Sequence, residues 1–581
     1  MTSESHDQDA LGYVSVAVAI PSLPVLTYSV PSGSGLPPIG SRVLVPVGHR
    51  EIVGCVVGTD VPCGSQNTSD LKKMASASIR PFIECYDDGP FLPLETLEVA
   101  QWTAEYFVCG YGEVIAAAMP PTALDARRLK QRRSGFREKR LVTITPKGVE
   151  AFRNGGKMGL GVRQLEALGE LVKHSKGLFA EALGSESSVI GRLERRQLVM
   201  TELVRCDRDP LEVWGVPTEA EATIKDTRPQ TLTREQSLAV EKLTPLVQRQ
   251  SFRAALLHGV TGSGKTEVYL RLAEEAVRNG RRVIVLVPEI ALTLGIADSF
   301  ARAFSGRVAV QHSGLSVGER HDQWHRIRSG DIDVVVGTRS AVFAPISDVG
   351  LIVVDEEHDA SYKQEESPRY HAKSVALVRG QRLGALVVLG SATPAVETYR
   401  HAVSGRYEKV SLLERVNERP LAQVEIVDMR REVVREGPDV VVSEPLRVRI
   451  GEVIGQGEQV LLLMNRRGFA SGVLCRQCGQ TLECPNCSVA LTLHISSGRT
   501  RCHYCNYAAN RPVRCPQCVS PYLEMIGFGT ERVEQELRKH FPGTTLARLD
   551  RDTVRRRGEL VRVLRRFRQN EIQIVVGTQM I

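Results

Sequence analysis

Eight cysteines between Cys475 and Cys518 fall into four Cys-x-x-Cys pairs: Cys475/Cys478, Cys484/Cys487, Cys502/Cys505 and Cys515/Cys518. Two thiolates so spaced fit one side of a tetrahedral zinc ion, and a second pair closes the site. Eight ligands therefore imply two structural Zn2+ sites with no position left open for an activated water. Adjacent and interleaved pairs satisfy the metals equally well, so spacing leaves the pairing open. His494 and His503 are surplus to a set of eight thiolates. A disulfide cluster is the competing reading, but the long chain carries no secretory signal and reads as cytoplasmic, where thiols stay reduced.

A second group of residues is suited to phosphate chemistry. Gly259, Val260, Thr261, Gly262, Ser263, Gly264, Lys265 and Thr266 match G-x-x-x-x-G-K-[ST] between an apolar strand and a helix. The glycines let backbone N–H groups wrap the phosphates of ATP, Lys265 meets the β/γ oxygens, and the Thr266 hydroxyl ligates Mg2+. Downstream, the apolar run Leu351–Val354 delivers Asp355 and Glu356 at its carboxyl end. Asp355 is expected to hold Mg2+ through water and Glu356 to orient and deprotonate the attacking water.

The elements that must position these groups follow from periodicity. Segments 13–20, 42–47 and 52–58 read as short strands divided by Pro/Gly/Ser turns, followed by a helical stretch near 91–108. A basic block from Arg127 to Arg140 reads as a linker. Short helices follow from 141 to 217, with a Thr-Pro-Lys-Gly turn at 145–148, and Leu193–Val199 resembles a recognition helix running into a wing strand. From about 229, apolar strands at 254–258, 282–287, 332–336, 350–354 and 385–389 alternate with helices, the pattern of a parallel α/β sheet. Strands at 459–464, 544–549 and 572–576 belong to a second lobe, interrupted by the cysteines. At 581 residues the chain holds several domains, and its net charge of +8 permits nucleic-acid binding without demanding it. No apolar run is long enough to span a bilayer, so no membrane partner is expected.

The string Asp355-Glu356-Glu357-His358 resembles the DEAH-type motif of superfamily 2 helicases. In the expected order stand Gln236, where these enzymes have an adenine-reading glutamine, Pro288–Thr293, Gly337–Ala341, Gly390–Pro394, Asn465–Gly468 and Val576–Met580. The cysteine cluster just after Asn465–Ala470, together with the stretch 355–372, resembles the primosomal protein N′ (PriA) family. The resemblance covers essentially the whole chain, most closely from 229 onward. It implies an α/β multidomain protein. A small β-rich 3′-end-binding domain (1–118) and a basic linker with a winged helix (119–225) precede two RecA-like helicase lobes. The first lobe spans 226–420; the second, 421–581, is incomplete and carries the Cys-rich double-zinc insertion at 472–522. It implies interleaved zincs, with Cys475, Cys478, Cys515 and Cys518 on one ion and Cys484, Cys487, Cys502 and Cys505 on the other.

By the same resemblance, Arg339 grips the DNA backbone within its motif. The loop after the acids is aromatic-rich: Tyr362, Tyr370 and His371 offer ring faces to bases, while Lys363, Arg369 and Lys373 reach phosphates. The implied activity is an ATP-dependent 3′-to-5′ DNA helicase of replication restart, with ATP, Mg2+ and two Zn2+. Forked and single-stranded DNA, primosome proteins and single-strand-binding protein are its implied partners, and the zinc knobs hold DNA or proteins rather than catalyse. Thr27 stands where the family has an aspartate for the DNA 3′ end. The chain stops at Ile581 inside a lobe-two motif, before the arginine that completes the ATP site, so it reads as a fragment. A fork-recognition and assembly module with little unwinding is the alternative, and a double-strand translocase, which shares the ATP motifs, lacks such a cysteine cluster.

Overall fold

The computed structural model describes residues 12–60, 79–131, 135–154, 159–174, 176–183, 187–213, 231–288, 290–416, 422–437, 439–464, 473–494, 498–525, 530–550, 553 and 559–578. They fall into two compact units, one within Met1–Pro288 and Leu292–Val416, the other within Glu289–Ala291 and Asn417–Ile581. Asn465–Gly468 lies outside the described residues, as do Glu289, Gln579 and Met580 of the other expected motifs.

The first unit opens with an antiparallel sheet of β1 (Tyr13–Val18), β2 (Leu26–Ser29), β3 (Arg42–Val47), β4 (Arg50–Asp60) and β5 (Glu84–Cys85), ordered β2-β1-β4-β3-β5. β1, β3 and β4 occupy the expected segments. β2 and β5 are edge strands of 4 and 2 residues, too short to display an alternating pattern. Val14, Val16, Val43, Val45 and Phe82 form a core of their own. Ala17 and Cys55 instead join the helices Leu94–Phe107 and Tyr111–Ala118 in a core that continues through Trp324, Phe343 and Val354. Trp324 stacks on Phe91 at 4.8 Å and donates its Nε1–H to Ala118 O at 2.8 Å. The small β domain and the α/β lobe are thus welded through one apolar interior.

The described residues of the basic block, 125–131 and 135–140, carry regular structure at either end. Asp125 caps the helix Ala126–Lys130, accepting from Arg127 N at 3.0 Å, and Lys130 pairs with Glu51. Lys139 and Arg140 already lie in β6 (Glu138–Ile144), the centre of a sheet with β7 (Leu178–Phe179) and β8 (Val199–Arg205). Helices Pro146–Arg153, Val162–Lys173 and Ser187–Arg195 close over Val142, Leu168, Ile190 and Leu193. Three helices on a three-stranded sheet is the arrangement of a winged helix. The Thr145-Pro-Lys-Gly segment is a helix start rather than a plain turn: Thr145 Oγ1 accepts from Gly148 N at 3.1 Å, with Pro146 in the first turn.

The α/β lobe contains β9 (Arg253–Gly259), β10 (Arg282–Leu286), β11 (Val308–Gln311), β12 (Val334–Gly337), β13 (Val349–Val354), the short hairpin β14 (Lys363–Gln364) and β15 (Tyr370–His371), β16 (Leu386–Ser391) and β17 (Glu408–Leu412). Its seven-stranded sheet runs β11-β12-β10-β13-β16-β9-β17, and every pairing is parallel. Such sheets bury both faces, which is why β10, β13 and β16 read as unbroken apolar runs. The edge strands β11 and β17 escaped the sequence reading because they are short and partly polar. β16 lies between β13 and β9, so the Gly390-Ser-Ala-Thr segment is wedged between the acids and the phosphate loop.

The second unit holds a parallel sheet of β18 (Val460–Leu463), β24 (Leu546–Leu549) and β25 (Ile574–Gly577), ordered β18-β25-β24 around Ile450, Val533, Leu537 and Ile574. Between β18 and β24 the Cys-rich insertion forms a ribbon, β19 (Val473–Cys475) with β23 (Leu523–Met525), and a small sheet of β20 (Thr492–His494), β21 (Arg499–Arg501) and β22 (Ala508–Asn510).

Candidate active site and metal centres

The helix Lys265–Arg278 begins at the carboxyl end of β9, with Gly262 at φ +83 and its N-cap Gly264 at φ +78. Both angles are open to glycine and costly to other residues, and the helix start behind them offers N–H groups to an anion. Gln236, 4% exposed, braces this turn. Its Oε1 accepts from Thr233 N at 2.9 Å in a capping box, and its Nε2 donates to Ser263 O at 3.0 Å. Val260 and Thr261 span the turn's first half, and Thr266 is half-buried in the helix's first turn.

Lys265 Nζ donates to Gly259 O at 3.0 Å and pairs with Glu356 Oε1 at 3.3 Å. Glu356 carries φ +44, a left-handed conformation worth ~1–3 kcal/mol of strain in a non-glycine residue. Its Oε2 accepts from Ser391 Oγ at 3.3 Å, and Ser391 Oγ lies 2.8 Å from His358 Nδ1. His358 Nε2 in turn lies 3.4 Å from Thr393 Oγ1. One polar chain therefore runs from the phosphate loop through the acids to the Gly390–Pro394 segment.

Asp355 is deeply buried. Tyr269 OH donates to its Oδ1 at 2.9 Å, and burial raises its carboxyl above the usual range against the pull of that hydrogen bond. Tyr269 passes so close to β16 that a Cβ on Gly390 would fall 1.7 Å from its hydroxyl. Glu357 was not singled out by sequence, yet it is 1% exposed and accepts from Lys373 Nζ (2.7 Å), Ala395 N (2.7 Å) and Thr398 Oγ1 (2.9 Å). Its only sequence signal was adjacency to the two acids; the partners lie 16 to 41 residues downstream.

The expected base-stacking rings are corrected by burial. Tyr362 is wholly buried, and its hydroxyl donates to Leu286 O (3.0 Å) and Asp355 O (2.5 Å). Tyr370 is 2% exposed and packs edge-on against Phe343 at 5.1 Å. Neither ring offers a face to a base, because both close the core beneath the loop. Lys373 is likewise committed, to Glu357. Lys363 and Arg369 do remain exposed, and Arg339 Nη1 donates to Lys363 O at 3.2 Å, joining the Gly-Thr-Arg segment to the loop. Lys363, Arg369, Tyr370, His371 and Phe107 line a cavity of about 360 Å³.

Around the zincs, four turns share one hydrogen-bond pattern. The first cysteine of each pair donates its N–H five residues ahead, to Gln480, Val489, Tyr507 or Ser520 O, each at 2.8 Å. Its carbonyl accepts from the residue four ahead: Gly479, Ser488, Asn506 or Val519, all at positive φ. These turns gather Cys475, Cys478, Cys515 and Cys518 in one group and Cys484, Cys487, Cys502 and Cys505 in another, with sulfurs within 4.8 Å of one another. The tertiary structure thus decides for interleaved pairs. Sγ–Sγ separations of 3.5 Å (Cys475–Cys518, Cys484–Cys505) and 3.7 Å (Cys478–Cys515) approach the ~3.8 Å edge of a tetrahedron with Zn–S bonds near 2.3 Å.

Family models place the pieces. A DEAD/DEAH box helicase matches residues 233–402, a 3′ DNA-binding domain matches 15–120, and a PriA DNA helicase Cys-rich region matches 484–509. The replication restart protein PriA of Bacillus subtilis is 34% identical across 95% of this chain and 74% of its own length. That of Haemophilus influenzae is 35% identical across 98% of this chain and 74% of its own. The chain belongs to the PriA family of replication restart proteins. As a PriA-family protein it is an ATP-dependent DNA helicase whose cofactors are Mg2+ and two Zn2+. The residues fit those groups. Eight thiolates in two tetrahedral sets suit structural zinc, and the glycine turn, Lys265 and a buried Ser263 Oγ without a hydrogen-bond partner among the described residues suit a nucleotide's phosphates. No helix among the described residues is long and apolar enough to cross a membrane.

Proposed function

We propose that this chain hydrolyses ATP to move 3′ to 5′ along one strand of a stalled or abandoned replication fork, exposing single strand on which the replicative helicase is reloaded. The observation that carries the reading is the polar chain Lys265–Glu356–Ser391–His358–Thr393, which makes the phosphate loop and the segment after β16 one hydrogen-bonded unit. Thr266 and Asp355 would hold Mg2+, which would supply neutralisation of phosphate charge. Lys265 cannot serve Glu356 and a phosphate equally, so phosphates compete for the lysine and free Glu356 to orient water and take its proton. Because Ser391 Oγ donates to the same carboxylate, a nucleotide that moves Glu356 also moves the segment after β16.

In this reading Gln236 sets the nucleotide turn, and Arg339, Lys363 and Arg369 hold DNA phosphates. Residues 1–118 capture the nascent 3′ end, 119–225 carry the winged helix, and 226–420 and 421–581 are the two lobes. Single-strand-binding protein and primosome proteins are the partners, and the cytoplasm is the compartment.

The test is ATP turnover with and without a forked DNA bearing a nascent 3′ end, for the wild type, Lys265→Ala and Glu356→Gln, alongside unwinding of 3′- and 5′-tailed duplexes. Fork-stimulated turnover should fall by roughly 10²–10⁴ in Glu356→Gln with fork binding kept, and only 3′-tailed duplexes should be opened. Tight fork binding with no turnover by the wild type would make this chain a recognition platform and sink the motor reading.

A further inference from the structure

The four zinc turns are alike in backbone and unlike at the tip. The two residues between the cysteines are Arg476-Gln477, Pro485-Asn486, His503-Tyr504 and Pro516-Gln517. In one turn the second of these is an amide that donates to a cysteine of its metal group, Asn486 Nδ2 to Cys505 Sγ at 3.8 Å. Such outer contacts support a metal centre. Tyr504 occupies the equivalent place and makes no side-chain contact of that kind. Tyr504 is 81% exposed, while its backbone N–H reaches Cys502 Sγ, at 3.4 Å. An aromatic ring held out in water by a rigid turn stabilises neither the metal nor the core.

The surroundings of that ring point to its ligand. Tyr507, whose carbonyl closes the same turn on Cys502 N, is 36% exposed. Immediately before the turn, β21 alternates exposed Arg499, buried Thr500 and exposed Arg501, so both arginines share one face. Arg501 is fixed beside the turn by donating to Asn506 Oδ1 at 3.0 Å. From Cys484 to Leu523 there is no Asp or Glu, although the chain contains 67 of them. A surface without carboxylates, bearing exposed tyrosines and arginines on a rigid turn, matches the chemistry of single-stranded nucleic acid: ring faces for bases and guanidinium groups for phosphates.

We infer that Tyr504, with Tyr507, is a stacking platform for unpaired DNA bases, and that Arg499 and Arg501 hold the adjoining phosphates. The inference rests on the reading of the chain as a DNA motor and names one surface on which it holds a strand. Each zinc with four thiolates carries a formal charge of 2−, which offsets the arginines. Stacking therefore carries most of the affinity, and base sequence matters little.

The test uses the full zinc-loaded chain and fluorescence anisotropy of oligo-thymidine and mixed-sequence single strands at several salt concentrations. Tyr504→Gln installs a residue type that a sibling turn already carries, so the turn is kept, and zinc content verifies it. Binding should weaken roughly 5- to 150-fold for both DNAs with the salt slope unchanged, while Tyr504→Phe should bind like the wild type. Arg499→Ala and Arg501→Ala should each lower the salt slope by about 0.7. Unchanged strand affinity in Tyr504→Gln with zinc retained would overturn the proposal. So would a loss confined to a protein partner, which would make this a protein-docking face. Failure of the wild type itself to bind single strands would instead sink the motor reading on which the proposal rests.

Discussion

In the α/β lobe, Asp355 and Glu356 follow a strand whose six residues are all buried, flanked on both sides by further parallel strands. Among the described residues of the Cys-rich insertion no strand exceeds three residues, and the core around the first cysteine group adds Val473, Leu482, Leu493 and Leu523 to the sulfurs. The lobe positions its chemistry by excluded water and interlocking hydrogen bonds. The insertion has too little apolar surface for that, so metal coordination must supply the folding free energy. Order at a functional surface can thus come from a large core or from a few strong bonds, and the two fail differently.

Removing zinc should give the largest effect. Structural zinc is worth an apparent ~10–16 kcal/mol, so a chelator should abolish amide protection across 473–525 and leave the 253–412 sheet protected, as read by hydrogen exchange. Persistent protection of the insertion without metal would break the comparison.

Within the lobe, Glu357→Ala strands Lys373 and the Ala395 N–H in a buried site. A loss of about 3–5 kcal/mol is expected, measured by denaturant unfolding, with zinc content untouched. A smaller step separates core from surface at Tyr362. Tyr362→Phe removes the hydroxyl from two buried carbonyls and should cost about 1–3 kcal/mol of stability with single-strand affinity unchanged. Lost DNA affinity at unchanged stability would restore the ring to the surface.

The last test is pH. His325 packs among Phe91, Trp324, Phe136 and His321, and burial, then the neighbouring His321, lowers its pKa from 6.5 to about 3. The fold keeps the neutral ring while the unfolded chain takes up a proton near pH 6.5, so stability is present above that pH and declines as pH falls from 6.5 toward 3. Thermal melts of His325→Gln should show a shallower acid dependence over that window.

Much of this was legible in the residues. The parallel lobe declared itself because buried strands are uninterrupted apolar runs, and the phosphate loop because its glycines and lysine have fixed spacing. The β11 and β17 edges were not legible: β11 is only four residues long, and β17 opens on Glu408-Lys409, whose charges mask a strand. Nor were the fates of Tyr362 and Tyr370: an aromatic in a polar loop reads as exposed until the core beneath it is known. Lys139 and Arg140 misled in the opposite way, since a charge run says nothing of the strand that carries it.

By itself the sequence determined the ligand chemistry: which residues can hold zinc, phosphate and water, because coordination number and hydrogen-bonding capacity are properties of side chains. Only the tertiary structure decided which cysteines share a metal, since both pairings satisfy local spacing. Only it joined Glu356 to Ser391 and Glu357 to Lys373, because sheet order and burial place groups far apart in the chain within hydrogen-bond reach.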